Sequence, residues 1–118
     1  MRNIKGDFRD GKYHGFGIMQ VDIGTNPDFC NSWTESNVEQ SIEFGTRILQ
    51  GKRDYLAGKN ITDVKAIAAA YNTGEGNVAK SIAAGRDPDH TTTGGDYGSD
   101  VVARMNIFSR LRAASATA

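Results

Sequence analysis

The sequence predicts an α+β domain that is mainly α. Apolar residues recur at helical spacing over three or four separate stretches, whereas a single short glycine-rich segment alternates as a strand does. No G-x-G-x-x-G follows a strand and no P-loop is present, which argues against a doubly wound nucleotide-binding fold. At 118 residues the chain fits one domain, residues 1 to 118, with the small polar tail 113–118 expected to fray.

Composition narrows the function classes. Apolar residues make up 38% and charged residues 24%, so the chain reads as neither a disordered tail nor a membrane protein. With 14 basic and 14 acidic side chains the formal net charge is zero, which argues against a chain built mainly to coat nucleic acid or anionic lipid. Cys30 is the only cysteine, so no internal disulfide forms, and one thiol with two histidines makes a structural zinc site a poor reading. The N-terminal MRNIKGDFRDG carries some positive charge without an apolar run behind it, unlike a secretory signal.

Taken in order, residues 1 to 12 read as an irregular approach, and residues 13 to 22 as a strand or tight hairpin. Within that segment, alternation puts Phe16, Ile18 and Gln20 on one face and Met19 and Val21 on the other, with Gly15 and Gly17 allowing positive φ or close approach. Residues 23 to 33 carry Gly24, Asn26, Pro27, Asp28 and Asn31 and read as a loop anchored by Phe29 and Trp33. Ser36 with Glu39 forms a capping-box pattern for a helix through Val38, Ile42, Gly45 and Ile48 to about Leu56, stopped by Gly58. Thr62 and Asp63 supply a cap and a first-turn acid for a second helix through Ile67 and Tyr71. The small residues Ala66 to Ala70 on it favour close packing. A short helix over 77–84 ends at Gly85, a polar loop follows, and a last helix from near Asp96 aligns Tyr97, Val101, Met105, Phe108 and Leu111.

Three segments in this order carry a family likeness: GFGIMQVD at 15–22, AIAAAYNTGEGNV at 66–78 and DYGSDVVARM at 96–105. Together with GTRIL at 45–49 they resemble the goose-type lysozymes, over roughly Gly6 to Ile107. The same order is shared with soluble lytic transglycosylases, and DYGSDVVAR favours the goose-type branch. The resemblance implies a lysozyme-like fold with a small β-hairpin and several packed helices. It also implies cleavage of the β-1,4 bond between N-acetylmuramic acid and N-acetylglucosamine in peptidoglycan. Such an enzyme protonates a poor leaving oxygen while a second carboxylate handles water.

Carried onto this chain, the resemblance makes Asp22 a water-positioning carboxylate. Asp10 or Asp7 matches a second one before the hairpin glycines, Asp10 being favoured. It makes Gln20, Tyr71, Asn72 and Tyr97 the lining of a glycan cleft, with peptidoglycan or N-acetylglucosamine oligosaccharides as ligand and no metal or organic cofactor. Each has a plainer reading as well: Asp22 as a turn carboxylate, Gln20 as a half-buried strand residue, Tyr71 and Tyr97 as helix-end aromatics. The family's general acid is a glutamate at the end of a helix preceding the hairpin, and that position falls at or before Met1. The only nearby alternative, Glu75, lies in a glycine loop where a carboxylate is expected to be hydrated and too acidic for the task. The chain is therefore expected to be an N-terminally truncated domain, either part of an active glycosidase or a glycan-binding remnant. Apolar helix faces left open by truncation predict a homo-oligomer. The resemblance points to extracellular or cell-wall-directed action, although no signal peptide is visible.

Overall fold

The computed structural model describes residues 3–117. Its elements run β1 (Lys5–Arg9), β2 (Lys12–Phe16), β3 (Val21–Asp22), α1 (Pro27–Asn31), α2 (Val38–Ala57), α3 (Val64–Thr73), α4 (Glu75–Ala83), a 3-10 turn at Thr93–Gly95 and α5 (Tyr97–Thr117). This is the α+β, mainly α composition that the apolar periodicity predicts. The chain gathers into two compact units, one ending at Ile48 and one beginning at Leu49.

In the first unit the strands form one antiparallel sheet in the order β1-β2-β3. Residues 5–9, expected to be irregular, are a strand because Asp10 and Gly11 make a two-residue hairpin loop between Arg9 and Lys12. Both loop residues have positive φ, 52° and 75°, as a type I′ turn requires, and Asp-Gly is among the best pairs for it. The extended segment expected over 13–22 is interrupted. Gly17 (φ 82°) and Gln20 (φ 49°) bracket a turn closed by the Gln20 amide donating to the Gly17 carbonyl at 3.0 Å. The break changes the faces: Phe16 and Val21 become cross-strand partners and both are buried, while Gln20 projects elsewhere. A strict period of two fails here because αL residues rotate the chain out of the pleat.

Around Phe16, Val21 and Cys30 pack Met19, Ile23, Phe29, Trp33, Phe44 and Ile48. The segment read as a loop contains the single turn α1, begun by Pro27, whose fixed φ suits a first helical position. Its expected anchors hold, with Phe29 stacked on Phe44 at 4.4 Å and Trp33 edge-on to Phe16 at 6.0 Å. The Ser36 hydroxyl meets Thr34 instead of capping α2, which starts after Asn37. Gly45 explains itself by contact: a Cβ there would lie 2.5 Å from the Met19 Cβ, so only glycine lets the β2–β3 turn rest on α2.

In the second unit, Leu56, Ala66, Ala69, Ala70 and Val78 are fully buried, with Ile61, Ile67, Ala79 and Ile82 against them. Asp63 caps α3 by accepting from the Ala66 amide at 3.1 Å, and Gly85 (φ 73°) follows α4 as a left-handed residue should. The left-handed residue after α2 is Asn60 (φ 61°), beyond the Gly58 expected to stop that helix. α5 packs on α3 near its start, where a Cβ at Gly98 would run into the Lys65 carbonyl. It continues to Thr117, through most of the segment expected to fray.

Candidate functional site

The candidate residues fall into two groups, one in each unit. In the first unit the pairing register fixes which side chains share a face. Gly15 pairs with Asp22 and with Gly6, and Phe8 pairs with Tyr13 two residues further along β2. Cross-strand partners and i, i+2 residues lie on one side of a sheet, so Phe8, Tyr13, Gly6, Gly15 and Asp22 share the face opposite buried Phe16 and Val21.

Asp22 is held by one of its two oxygens. Its Oδ2 accepts from the Thr25 amide at 3.1 Å and from the Thr25 hydroxyl at 3.4 Å, a local Asx-type turn. Among the described residues Oδ1 accepts no bond, leaving an exposed carboxylate oriented by one oxygen and open at the other. Gln20 lies across the two glycines, where a Cβ on Gly6 or Gly15 would collide with its Oε1. Its Nε2 donates at 2.9 Å to the carbonyls of Ile4 and Gly17, so both amide protons serve the turn and only Oε1 is left to accept.

Asp10 is not brought to Asp22. It forms the hairpin tip, four residues on from Gly6, the β1 partner of Gly15, or about 14 Å at strand rise. Asp7, the other candidate, lies beside Gly6 with a φ of 51° and is ion-paired to Arg9 at 3.3 Å.

Asp22 also bears on the thiol beneath it. Cys30 is buried, its Sγ donates to the Val21 carbonyl at 3.4 Å, and burial followed by the Asp22 charge pushes the thiol up to about 11.

In the second unit Tyr71 and Asn72 end α3. Burial, with the neighbouring Tyr97, pushes the Tyr71 phenol up to about 12, and burial also raises Tyr97. Both phenols are neutral donors at physiological pH. Asn72 accepts from the Thr93 amide at 2.8 Å and donates to the Thr93 hydroxyl at 3.4 Å, so its amide ties the 91–95 loop to the end of α3. Thr73 and Thr91 repeat the tie at 3.0 Å.

Glu75 opens α4 and is paired with Lys52 at 2.7 Å. The Lys52 ammonium, then the glutamate's own backbone N–H, hold its carboxyl below the usual range, so at neutral pH it has no proton to give. The sequence reading missed Asp89, which is 1% exposed. It accepts from the Gly98 and Ser99 amides at 2.6 and 3.0 Å, and from the Ser99 and Thr92 hydroxyls at 3.0 and 3.3 Å. Burial alone would raise this carboxyl, but those donors outweigh it and hold it low. Its position eight residues before Tyr97 in a polar loop gave no capping signal. Among the described residues no group of three or more His, Cys, Asp or Glu side chains gathers as a metal site would.

The elements define an α+β, mainly α domain with a small antiparallel sheet. The family model Lysozyme g matches residues 3–111, and the chain belongs to the goose-type lysozyme family. A lysozyme g of the fish Epinephelus coioides is 36% identical over 107 residues, covering 86% of this chain and 53% of the relative. The chain thus spans about half the length of the curated relative it matches. No solved structure matches the chain significantly.

Proposed function

We propose that the chain carries the water-handling and glycan-binding part of a muramidase-type glycoside hydrolase acting on the β-1,4 bond between N-acetylmuramic acid and N-acetylglucosamine. The observation that supports it is Asp22, whose Oδ2 is fixed by Thr25 while Oδ1 stays open on an exposed sheet face. A carboxylate held in this way can orient or deprotonate a water, which favours hydrolysis over transglycosylation. Gln20 Oε1 contributes an acceptor beside it, and Tyr71, Asn72 and Tyr97 serve glycan binding in the second unit. Asp10 is assigned to the hairpin turn. The action is extracellular or wall-directed, and the chain self-associates through the apolar stripe of α5.

Protonation of the leaving oxygen needs a carboxylic acid, and Glu75 is unsuited to it because Lys52 keeps it ionised. That pairing favours a second reading, in which these residues alone bind glycan and turn it over slowly, the acid being supplied from outside them. General acid catalysis is worth roughly 10²–10⁴ in rate, so its loss spares binding.

Clearing of a peptidoglycan suspension, measured by turbidity beside binding of tetra-N-acetylchitotetraose, decides between them. Clearing that Asp22→Asn lowers by about 10²-fold or more, and Asp10→Asn leaves intact, supports the first reading. Binding without clearing supports the second, and neither binding nor clearing overturns both.

A further inference from the structure

The hairpin carries two large aromatic side chains that the core does not use. Phe8 is 63% and Tyr13 44% exposed, and their rings meet edge to face with centroids 4.9 Å apart and planes at 63°. A cross-strand aromatic pair stabilises a hairpin, but it needs no such exposure to do so. What surrounds the pair is more telling. On the same face, Gly6 and Gly15 leave a floor without side chains, and the Gln20 amide lies over that floor. Asp22 stands opposite Gly15, making it the diagonal neighbour of Tyr13 at about 7–8 Å between Cα atoms.

The polar atoms on this face are unsatisfied in a consistent way. The Tyr13 hydroxyl, Gln20 Oε1 and Asp22 Oδ1 make no hydrogen bond among the described residues, whereas Gln20 Nε2 and Asp22 Oδ2 are both spent on holding the turn. Two fixed acceptors beside an aromatic corner suit a ligand rich in hydroxyl and amide N–H donors that also has an apolar C–H face. A β-1,4-linked N-acetylhexosamine chain has both. The negative faces of the rings attract its axial C–H groups, and its N–H and O–H groups find the free oxygens.

We infer that Phe8 and Tyr13 form a sugar-stacking platform that extends the Asp22 site along the sheet, so that one hexosamine ring rests on the aromatic pair while its neighbour lies over the exposed Gln20 amide that covers Gly6 and Gly15. This rests on the reading of the Asp22 face as glycan-binding and adds to it the residues that set where the chain of sugars lies. An apolar partner surface would leave the Gln20 and Asp22 oxygens without donors.

Titration of the whole chain with tetra-N-acetylchitotetraose, followed by aromatic and amide NMR, tests it. The Phe8 and Tyr13 ring signals and the Gly6 and Gly15 amides are expected to shift on saturation. Phe8→Leu and Tyr13→Leu, which keep an apolar cover on the hairpin, should each weaken binding by about three- to tenfold, and Tyr13→Phe by less than twofold. Saturation with unmoved platform signals, or Leu variants that bind as the wild type does, overturns the platform while leaving the Asp22 site standing. Absence of any binding by the wild type overturns both. Ring shifts that follow protein concentration without sugar assign the pair to self-association and overturn the inference too. The wild-type titration decides even if a variant fails to fold.

Discussion

At the scale of single residues, chemistry and conformation divide the candidate carboxylates. Asp22 has a local reason to be where it is, the Thr25 turn, and that turn is also what leaves one oxygen directed and open. The turn and the proposed water-handling role therefore rest on the same geometry. Asp10 forms a local turn of its own, and Asp-Gly between Arg9 and Lys12 is a hairpin signal legible in the sequence once both flanks are allowed to be strands. Cys30 is buried, and its coupling to Asp22 was invisible in the sequence because it depends on a fold contact nine residues long. A thiol raised to about 11 is almost entirely protonated at pH 8, where a free one near 8.5 is a substantial fraction thiolate. Alkylation by iodoacetamide at pH 8 is expected to be at least tenfold slower in the folded chain than in denaturant, with mass spectrometry as readout. Equal rates would show the thiol to be open.

At the scale of elements, helix boundaries were legible in part, because caps and breakers act locally, but Ser36 does not cap α2 and Asp63 rather than Thr62 caps α3. Asp63 before α3 and Gly85 after α4 do what their chemistry dictates. What periodicity could not reveal were joints made across sequence, of which Asp89 is the clearest. Four donors from the start of α5 and from Thr92 converge on this buried carboxylate, fixing the 87–96 loop to the helix that follows it. Removing it strands the Gly98 and Ser99 amides without partners, so Asp89→Ala is expected to cost about 2–4 kcal/mol in denaturant unfolding. The pH dependence follows from the lowered carboxyl. The unfolded aspartate binds a proton more readily than the folded one, so this stabilisation is fully present above pH 4 or so. It is lost as pH falls through the lower folded value. Thermal unfolding of the wild type should therefore drop steeply below about pH 4, and Asp89→Asn should flatten that limb while lowering stability at neutrality. An unchanged acid limb in the variant would remove Asp89 from this role.

At the scale of the whole molecule, the outstanding feature is apolar surface that the fold leaves uncovered. From residue 103 to 115 the side chains of α5 are exposed on all sides, and Met105, Ile107, Phe108 and Leu111 are 46%, 53%, 70% and 61% exposed. Helical spacing gathers these four into one broad stripe continuing from half-buried Val101, while Arg104 is drawn to Asp100 at 2.9 Å. A contiguous stripe of this kind is unusual on a monomer. Burying the exposed part of each side chain is worth about 1 kcal/mol, so a symmetric pairing of two such stripes gains roughly 8 kcal/mol. Association itself costs about 4–15 kcal/mol, so the balance runs from about 4 kcal/mol in favour of pairing to about 7 against it. The magnitudes thus predict at most weak self-association, dissociating in the millimolar range or above, rather than an obligate dimer. Sedimentation velocity across a concentration series should show a mass average rising with concentration, and Phe108→Ser, removing the most exposed ring, should return it toward the monomer. A constant monomer mass at millimolar concentration would mean that the stripe does not pair copies of this chain.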